Sequence, residues 1–383
     1  MKKPAPRIIA VLIALAIGSL FFFLLTFAGD KGRGPLEDLA VSLQTGIARF
    51  ERNVLGKNGN RTRSAQLKWF DRYRKDLDLM RRPDTIFLGA FDNHTADTYE
   101  PIVALEDTLG INFPIISFYT AWGSHKEQLF PALRAQTIYD LGSMPLLTWE
   151  PWLDDFDPSI FPVKNPENKN EGGLKAIAEG EYDSYIEKWA TDAQKLKVSL
   201  LLRMGHEMND PYRYPWGPQN NSAEDFVAAW RHVVDLFREK GADNVLWVWS
   251  PHPAYPPYDI YYPGDDYVDW IGISVLNYGT VATWSQWWSF DEVVRKFYTA
   301  VEPYQKPLMI TEFGSLAVGG DRSEWLSEAL RSIPADYPMI RSVVFFHTSD
   351  DATTTYKSLD WSFRTDEKVV EALKASFESW KND

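Results

Sequence analysis

The sequence predicts an α/β fold, a closed (β/α)8 TIM barrel, carried behind an N-terminal transmembrane helix and a short stem. Three observations support this. Eight short apolar runs recur between residues 85 and 348, helix-patterned segments separate them, and most runs end in polar or aromatic residues. Strands alternating with helices imply parallel strands joined by right-handed crossovers. Eight such units in about 300 residues suit a closed barrel better than an open sheet.

At the N-terminus, MKKPAPR carries three positive charges and residues 8–28, IIAVLIALAIGSLFFFLLTFA, carry none. At about 1.5 Å per residue this run crosses a hydrocarbon core of about 30 Å. The apolar part of a cleavable signal is only about 7–15 residues long. An uncleaved anchor is therefore expected over residues 1–29, with Lys2, Lys3 and Arg7 cytoplasmic and Asp30 onward outside. The alternative is secretion after cleavage near Gly29. Residues 30–84 read as a stem, broken by GDKGRGP and GKNGNRTR, with a leading helix over 65–80 (AQLKWFDRYRKDLDLM).

The barrel is expected over 85–383. Its strands are read from TIFLGAF (85–91), FPIISFY (113–119), MPLLTWE (144–150), VSLLLRMGHE (198–207), NVLWVWS (244–250), VDWIGIS (268–274), PLMITEF (307–313) and SVVFFHT (342–348). Helices are expected at KEQLFPALRAQTIYDLG (126–142), AEDFVAAWRHVVDLFREKG (223–241), FDEVVRKFYTAV (290–301), SEWLSEALRSI (323–333) and TDEKVVEALKASFESW (365–380). The segment after the fifth run is Pro-rich and irregular.

Composition narrows the function. A formal charge of −13 repels phosphate backbones, which argues against nucleic acid as a partner. The absence of cysteine removes disulfides, thiolate metal sites and cysteine nucleophiles together. No Gly-rich phosphate loop, HExxH or spaced His/Cys set points to a cofactor or metal, and Asp154, Asp155 and Asp157 lack calcium-loop spacing. Sixteen Trp residues provide flat faces of the kind that sugar-binding clefts use.

The polar residues gather at the ends of the runs. RMGHEMNDPYRYPWG (203–217) directly follows VSLLL. A buried parallel strand should be nearly all Val, Ile and Leu, so this polar end marks the face where α/β barrels keep their chemistry. Closing the sheet gathers these ends around one mouth, where two carboxylates stand out, Glu207 and Glu312. Such a pair cuts a glycosidic bond: one acid protonates the leaving oxygen, and one carboxylate attacks or stabilises the transition state. Arg203, His206 and Asn209 are donors suited to keeping a carboxylate ionised. Trp149 and Trp249 end their runs and Trp284 lies in TWSQWWSF (283–290), which makes them candidates for sugar contact. His252 and His347 are read as loop residues.

RMGHEMN…YPWG, with ITEFG at 310–314, resembles glycoside hydrolase family 26, best known for β-mannanases, in the clan of retaining (β/α)8 glycosidases. The resemblance implies Glu207 as acid/base and Glu312 as nucleophile. It further implies His206 beside the acid/base, Asn209 on the cleft floor, Trp216 stacked on sugar, Tyr278 bonded to the nucleophile and Arg203 in support. The chain departs from the family pattern at Asp210, where relatives often have Gly, in the longer DPYR loop, in FFH (345–347) where a Trp is common, and in WEPW (149–152). The implied activity is a retaining endo-β-glycanase acting without a cofactor on β-1,4-linked mannan or mixed-linkage β-glucan. Its expected partners are the polysaccharide, the membrane and, in an alternative reading, a polysaccharide synthesis or export complex. A silent polysaccharide-binding barrel is the non-enzymatic alternative.

Overall fold

A computed structural model describes residues 57–58, 61–93, 98–163, 169–352 and 358–380. The expected anchor over 8–28 lies outside the described residues, among which no helix is long and apolar enough to cross a membrane. The strands are β1 (Phe87–Phe91), β2 (Ile115–Ala121), β3 (Met144–Glu150), β4 (Leu200–Met204), β5 (Val245–Trp249), β6 (Trp270–Asn277), β7 (Leu308–Ser315) and β8 (Ile340–Phe346). They close in sequence order, with β8 pairing back to β1, and every pair is parallel. Each apolar run lies on one strand, because these strands are buried on both faces.

The outer layer consists of α1 (Glu100–Leu109), α2 (Ala132–Asp140), α3 (Gly173–Ala178), α4 (Asp183–Leu196), α5 (Ala223–Glu239), α6 (Phe290–Val301), α7 (Arg322–Asp336) and α8 (Glu367–Trp380). Side chains cap several starts: Ser222 with Asp225 opens α5, Ser289 with Glu292 opens α6, and Asp321 opens α7. The β5–β6 connection has no α-helix and makes two 3-10 turns, Asp259–Tyr261 and Asp265–Tyr267.

Two expected helices are broken. The one over 126–142 divides into a 3-10 turn at Lys126–Gln128 and α2, with Pro131 at the α2 N-cap. Pro131 has no N–H to donate, and its ring turns Phe130 away from helical geometry. The leading helix over 65–80 falls into short pieces, Asp71–Lys75 and Leu77–Arg81 among them. Between them the Asp76 carboxylate accepts from the amides of Asp78 (3.0 Å) and Leu79 (3.2 Å) and starts a new turn.

The core has two layers. Side chains alternating inward along the strands, including Phe87, Ile115, Leu146, Leu201, Val248, Trp270, Met309 and Val344, fill the barrel. The leading segment adds Phe70, Tyr73 and Met80 from below, and the Trp270 indole donates to the Met80 carbonyl at 3.1 Å. The outward set packs beneath the helices. Arg63 fixes the leading segment to the wall. It is 1% exposed and donates from Nε to Glu106 (2.8 Å), and to the carbonyls of Leu141 (2.6 Å) and Phe113 (3.0 Å).

Arg63→Leu leaves the Glu106 carboxylate buried without its guanidinium, which costs about 3–5 kcal/mol. The expected result is a lower urea midpoint with an unchanged slope; a midpoint equal to wild type would contradict it.

Candidate active site

The site is built on an irregularity in β7. Against β6, Ile273 pairs with Ile310 but the next residue, Ser274, pairs with Glu312. Against β8, Val343 pairs with Ile310 and Phe345 with Phe313. Relative to both neighbours, β7 therefore carries one extra residue between Ile310 and Phe313. Ile310 and Phe313 pack outward, while Thr311 and Glu312 both reach an inward-facing guanidinium. Re-aiming a side chain in this way is what a β-bulge does.

That guanidinium belongs to Arg203 on β4, which is fully buried. Nε donates to Thr148 Oγ1 on β3 (2.9 Å) and Nη1 to Thr311 Oγ1 on β7 (2.8 Å). Nη2 donates to the Tyr119 hydroxyl on β2 (2.9 Å) and to Glu312 Oε1 (2.8 Å). Burial pushes the Arg203 pKa down, but the neighbouring acidic groups, the Glu312 and Glu207 carboxylates among them, and the hydrogen bond to Glu312 outweigh it and hold the pKa above its ordinary value. The Tyr119 hydroxyl also donates to Glu312 Oε1, at 2.8 Å. Burial and the Glu312 charge raise the Tyr119 pKa well above the ordinary value, so the phenol keeps its proton. Both of these bonds fall on Oε1 of Glu312.

Glu207 lies just past β4, with φ at +54°. A non-glycine residue in this left-handed region costs of order 1–3 kcal/mol and persists only where its surroundings impose it. Here its N–H donates to the Ser250 carbonyl beyond β5 (2.6 Å), and its carbonyl accepts from the Asp210 N–H (2.9 Å). Glu207 is 2% exposed, and Arg213 Nη1 stands 3.5 Å from its Oε2. Glu312 is bonded to Arg203 and Glu207 stands beside Arg213, at strand ends of one closed parallel barrel, so both belong to one mouth. His206, beside Glu207, is bonded through Nε2 to the Tyr214 hydroxyl (2.9 Å). Burial, then the charges of Arg203, Arg213 and His252, push its pKa well below the ordinary value, so it is neutral.

Residues 165–314 match the sequence model of Glycosyl hydrolase family 26, a stretch that contains both Glu207 and Glu312. The chain belongs to glycosyl hydrolase family 26. Endoglucanase H of Acetivibrio thermocellus is 31% identical over 289 residues, which are 73% of this chain and 29% of that protein. Mannan endo-1,4-beta-mannosidase A and B of Caldalkalibacillus mannanilyticus is 26% identical over 198 residues, which are 48% of this chain and 35% of that protein. The chain thus spans about a third of these relatives. Among solved structures, a β-mannanase of this family from Bacteroides ovatus superposes with a TM-score of 0.56 at 19% identity. The match covers 83% of this chain and 92% of that one and shows a shared barrel fold.

Several aromatic candidates of this family 26 barrel do not reach the mouth. Trp149 and Trp249 are fully buried among the outward-facing residues. Trp149 stacks on Trp189 at 4.3 Å, and Trp249 meets Tyr262 edge-on at 5.1 Å. The cause is strand alternation: Thr148 and Val248 point inward, so the next residue on each strand points out. Trp216 is 2% exposed, stacks on Tyr214 at 4.5 Å and donates its indole N–H to the His206 carbonyl (2.8 Å). Its face is covered by protein rather than open to sugar. Asn209 uses its amide on backbone, donating to the carbonyls of His252 (2.9 Å) and Tyr255 (2.7 Å) and accepting from the His252 N–H (2.6 Å). It clamps the β5 loop and does not offer the amide to a ligand.

The exposed aromatics of this face include Trp152, 37% exposed and edge-on to Trp216 at 5.4 Å, Trp284, 57% exposed and edge-on to Tyr278 at 6.1 Å, and Tyr212, 82% exposed in the loop after β4 and edge-on to Tyr255 at 6.0 Å. Tyr119, Thr148, Thr311, Glu150 and Arg213 were not among the sequence candidates. Inward parity with Arg203 marks Thr148, and Tyr119 shares the parity of Ile115 and Ser117 on β2. Nothing in the sequence marks Arg213, because its place depends on how the DPYR loop folds. Glu150 accepts from the Trp152 indole at 3.1 Å. Its pKa is raised by burial and by the Glu312 charge, against lowering contributions from Trp152, Arg203 and Arg213.

Trp216→Ala is expected to cost about 3–5 kcal/mol of stability, as a truncated buried aromatic does. Trp152→Ala should leave the unfolding midpoint near wild type and raise KM for a polysaccharide several-fold. Unfolding curves and initial rates on both variants check this; a Trp216→Ala protein of unchanged stability would overturn the packing role.

Proposed function

We propose that the chain is a retaining endo-β-glycanase that hydrolyses a β-1,4-linked polysaccharide, mannan or mixed-linkage β-glucan, outside the cytoplasmic membrane. The observation that carries this reading is the asymmetric treatment of the two carboxylates. Glu312 has Oε1 held by Arg203 and Tyr119 at 2.8 Å each, which suits an ionised nucleophile with its second oxygen aimed at a substrate. Glu207 has no such pair of donors and stands at the end of β4, across the barrel mouth from β7, where an acid is needed. The relatives named for endoglucanase and mannosidase activity support the substrate class.

In the first step Glu312 bonds to the anomeric carbon as the glycosidic C–O bond breaks, and Glu207 passes its proton to the departing oxygen. In the second, Glu207 takes a proton from water, whose oxygen displaces Glu312 with a second inversion. Arg203 and Tyr119 position Glu312, and the neutral His206 adds no charge beside Glu207. Trp152, Tyr212, Trp284 and Tyr278 offer accessible surfaces for sugar rings. Residues 8–28, uncharged and long enough to span a bilayer, support an anchor that leaves the barrel outside the cell membrane. The same anchor favours the second reading, a hydrolase or transglycosylase that trims a polymer as it is made.

Reducing-sugar release from a mannan and β-glucan panel tests the activity, with Glu312→Ala expected to abolish it. Glu207→Ala should lower kcat on polysaccharide by about 10²–10⁴-fold. It should lose less on substrates with activated leaving groups, and added azide should yield a β-azide. NMR of early products should show the β anomer first. An α anomer first would mean inversion and carboxylates about 6.5–9.5 Å apart, and would overturn the role of Glu312.

A further inference from the structure

The Asn209 clamp brings together groups that lie apart in sequence. It ties the loop after β4 to the loop after β5, and the Glu207 N–H to Ser250 bond (2.6 Å) ties the same two loops again. As a result one oxygen each of Glu207 and Asp210 and a ring nitrogen of His252 all lie within 4.8 Å of one another. This is the one such cluster of metal-binding groups among the described residues. Glu207 and Asp210 are 2% and 6% exposed, so water does not compete freely for their oxygens. Asp210 is also the residue that departs from the Gly common in the family resemblance.

We propose that Glu207, Asp210 and His252 form an inhibitory zinc site at the mouth of the cleft. Two carboxylate oxygens and an imidazole nitrogen are a ligand set suited to Zn²⁺, with the fourth position open to water. Tetrahedral bonds of about 2.1 Å put ligand atoms about 3.4 Å apart, so groups within 4.8 Å of one another need to close by no more than about 1.4 Å. The backbone clamp already holds their main chains, so the closure falls to side-chain torsions. His252 Nδ1 accepts from the Ala254 N–H at 3.1 Å. Zinc binding costs that local contact, because the nitrogen that does not take the metal must keep the ring proton. Arg213, 3.5 Å from Glu207 Oε2, is the cation with which zinc must share the carboxylate. Zinc there occupies the group that, on the reading above, delivers the proton to the leaving oxygen.

The test is calorimetric titration of the full-length protein with zinc chloride, repeated on His252→Ala and Asp210→Gly, with hydrolysis rates and cobalt absorption spectra in parallel. The wild type should bind one zinc per chain, give a cobalt spectrum of low coordination number, and lose at least about tenfold in rate at saturation. Each variant should bind at least about tenfold more weakly, and zinc at the wild-type saturating level should no longer slow its hydrolysis. Equal zinc affinity in the wild type and both variants would overturn the site. Zinc that binds through His252 without slowing hydrolysis would instead strike at Glu207 as the acid, so the two failures are distinguishable.

Discussion

The active-site end of the barrel depends on one buried cation. Arg203 reaches from β4 to side chains on β2, β3 and β7, and every one of its four recorded bonds ends on a group that also points inward. Removing a guanidinium from water is expensive, and it is tolerated only where its N–H groups and its charge are answered. Thr148 and Thr311 answer the N–H groups, and Glu312 answers the charge. The dependence runs both ways. The cation needs the carboxylate to remain buried, and the carboxylate needs the cation and Tyr119 to keep one oxygen fixed. A pair arranged for stability alone would be exchangeable for packed apolar groups of similar volume. This one stands where a strand end opens to the mouth.

Two departures from regular backbone place the carboxylates. The extra residue in β7 lets Glu312 face inward directly after Thr311, which regular alternation forbids. The left-handed turn at Glu207 swings that side chain off the axis of β4. Neither departure is relaxed. Each is held by bonds to a neighbouring strand or loop, so the rigidity of the sheet passes to the two carboxylates.

The strands were legible because burial on both faces writes them as continuous apolar runs. MPLLTWE marks β3 residue for residue, and the other runs mark their strands with small shifts at the ends. The helix breaks were partly legible. Pro131 carries a visible signal against a single helix over 126–142, whereas the break at Asp76 depends on a carboxylate turning back to its own backbone. Within the site, the positions of Arg203, Glu207 and Glu312 follow from strand ends. The orientation of the aromatics does not, because a Trp at a strand end faces the mouth or the helices according to a parity that needs one inward residue as reference. Arg203 provides it, and Trp149 then falls on the outer side. Trp216 and Asn209 were illegible for another reason: their partners, the Tyr214 ring and the backbone at His252 and Tyr255, are settled only by loop packing. The bulge in β7 leaves no mark in ITEFG.

The sealed base of the barrel has a consequence for traffic. Phe70, Tyr73 and Met80 close the lower end against Phe87 and Trp270, all buried. The barrel is therefore a cup and not a tube, and no chain can thread along its axis. On the proposed activity, a polymer would lie across the rim, enter sideways and leave by the same side, with both new ends departing into the same solvent. Length is then no barrier to a substrate, because neither terminus has to be found before the middle can be seated. Successive cuts along one polymer without release would then have to come from contacts on the rim and not from enclosure.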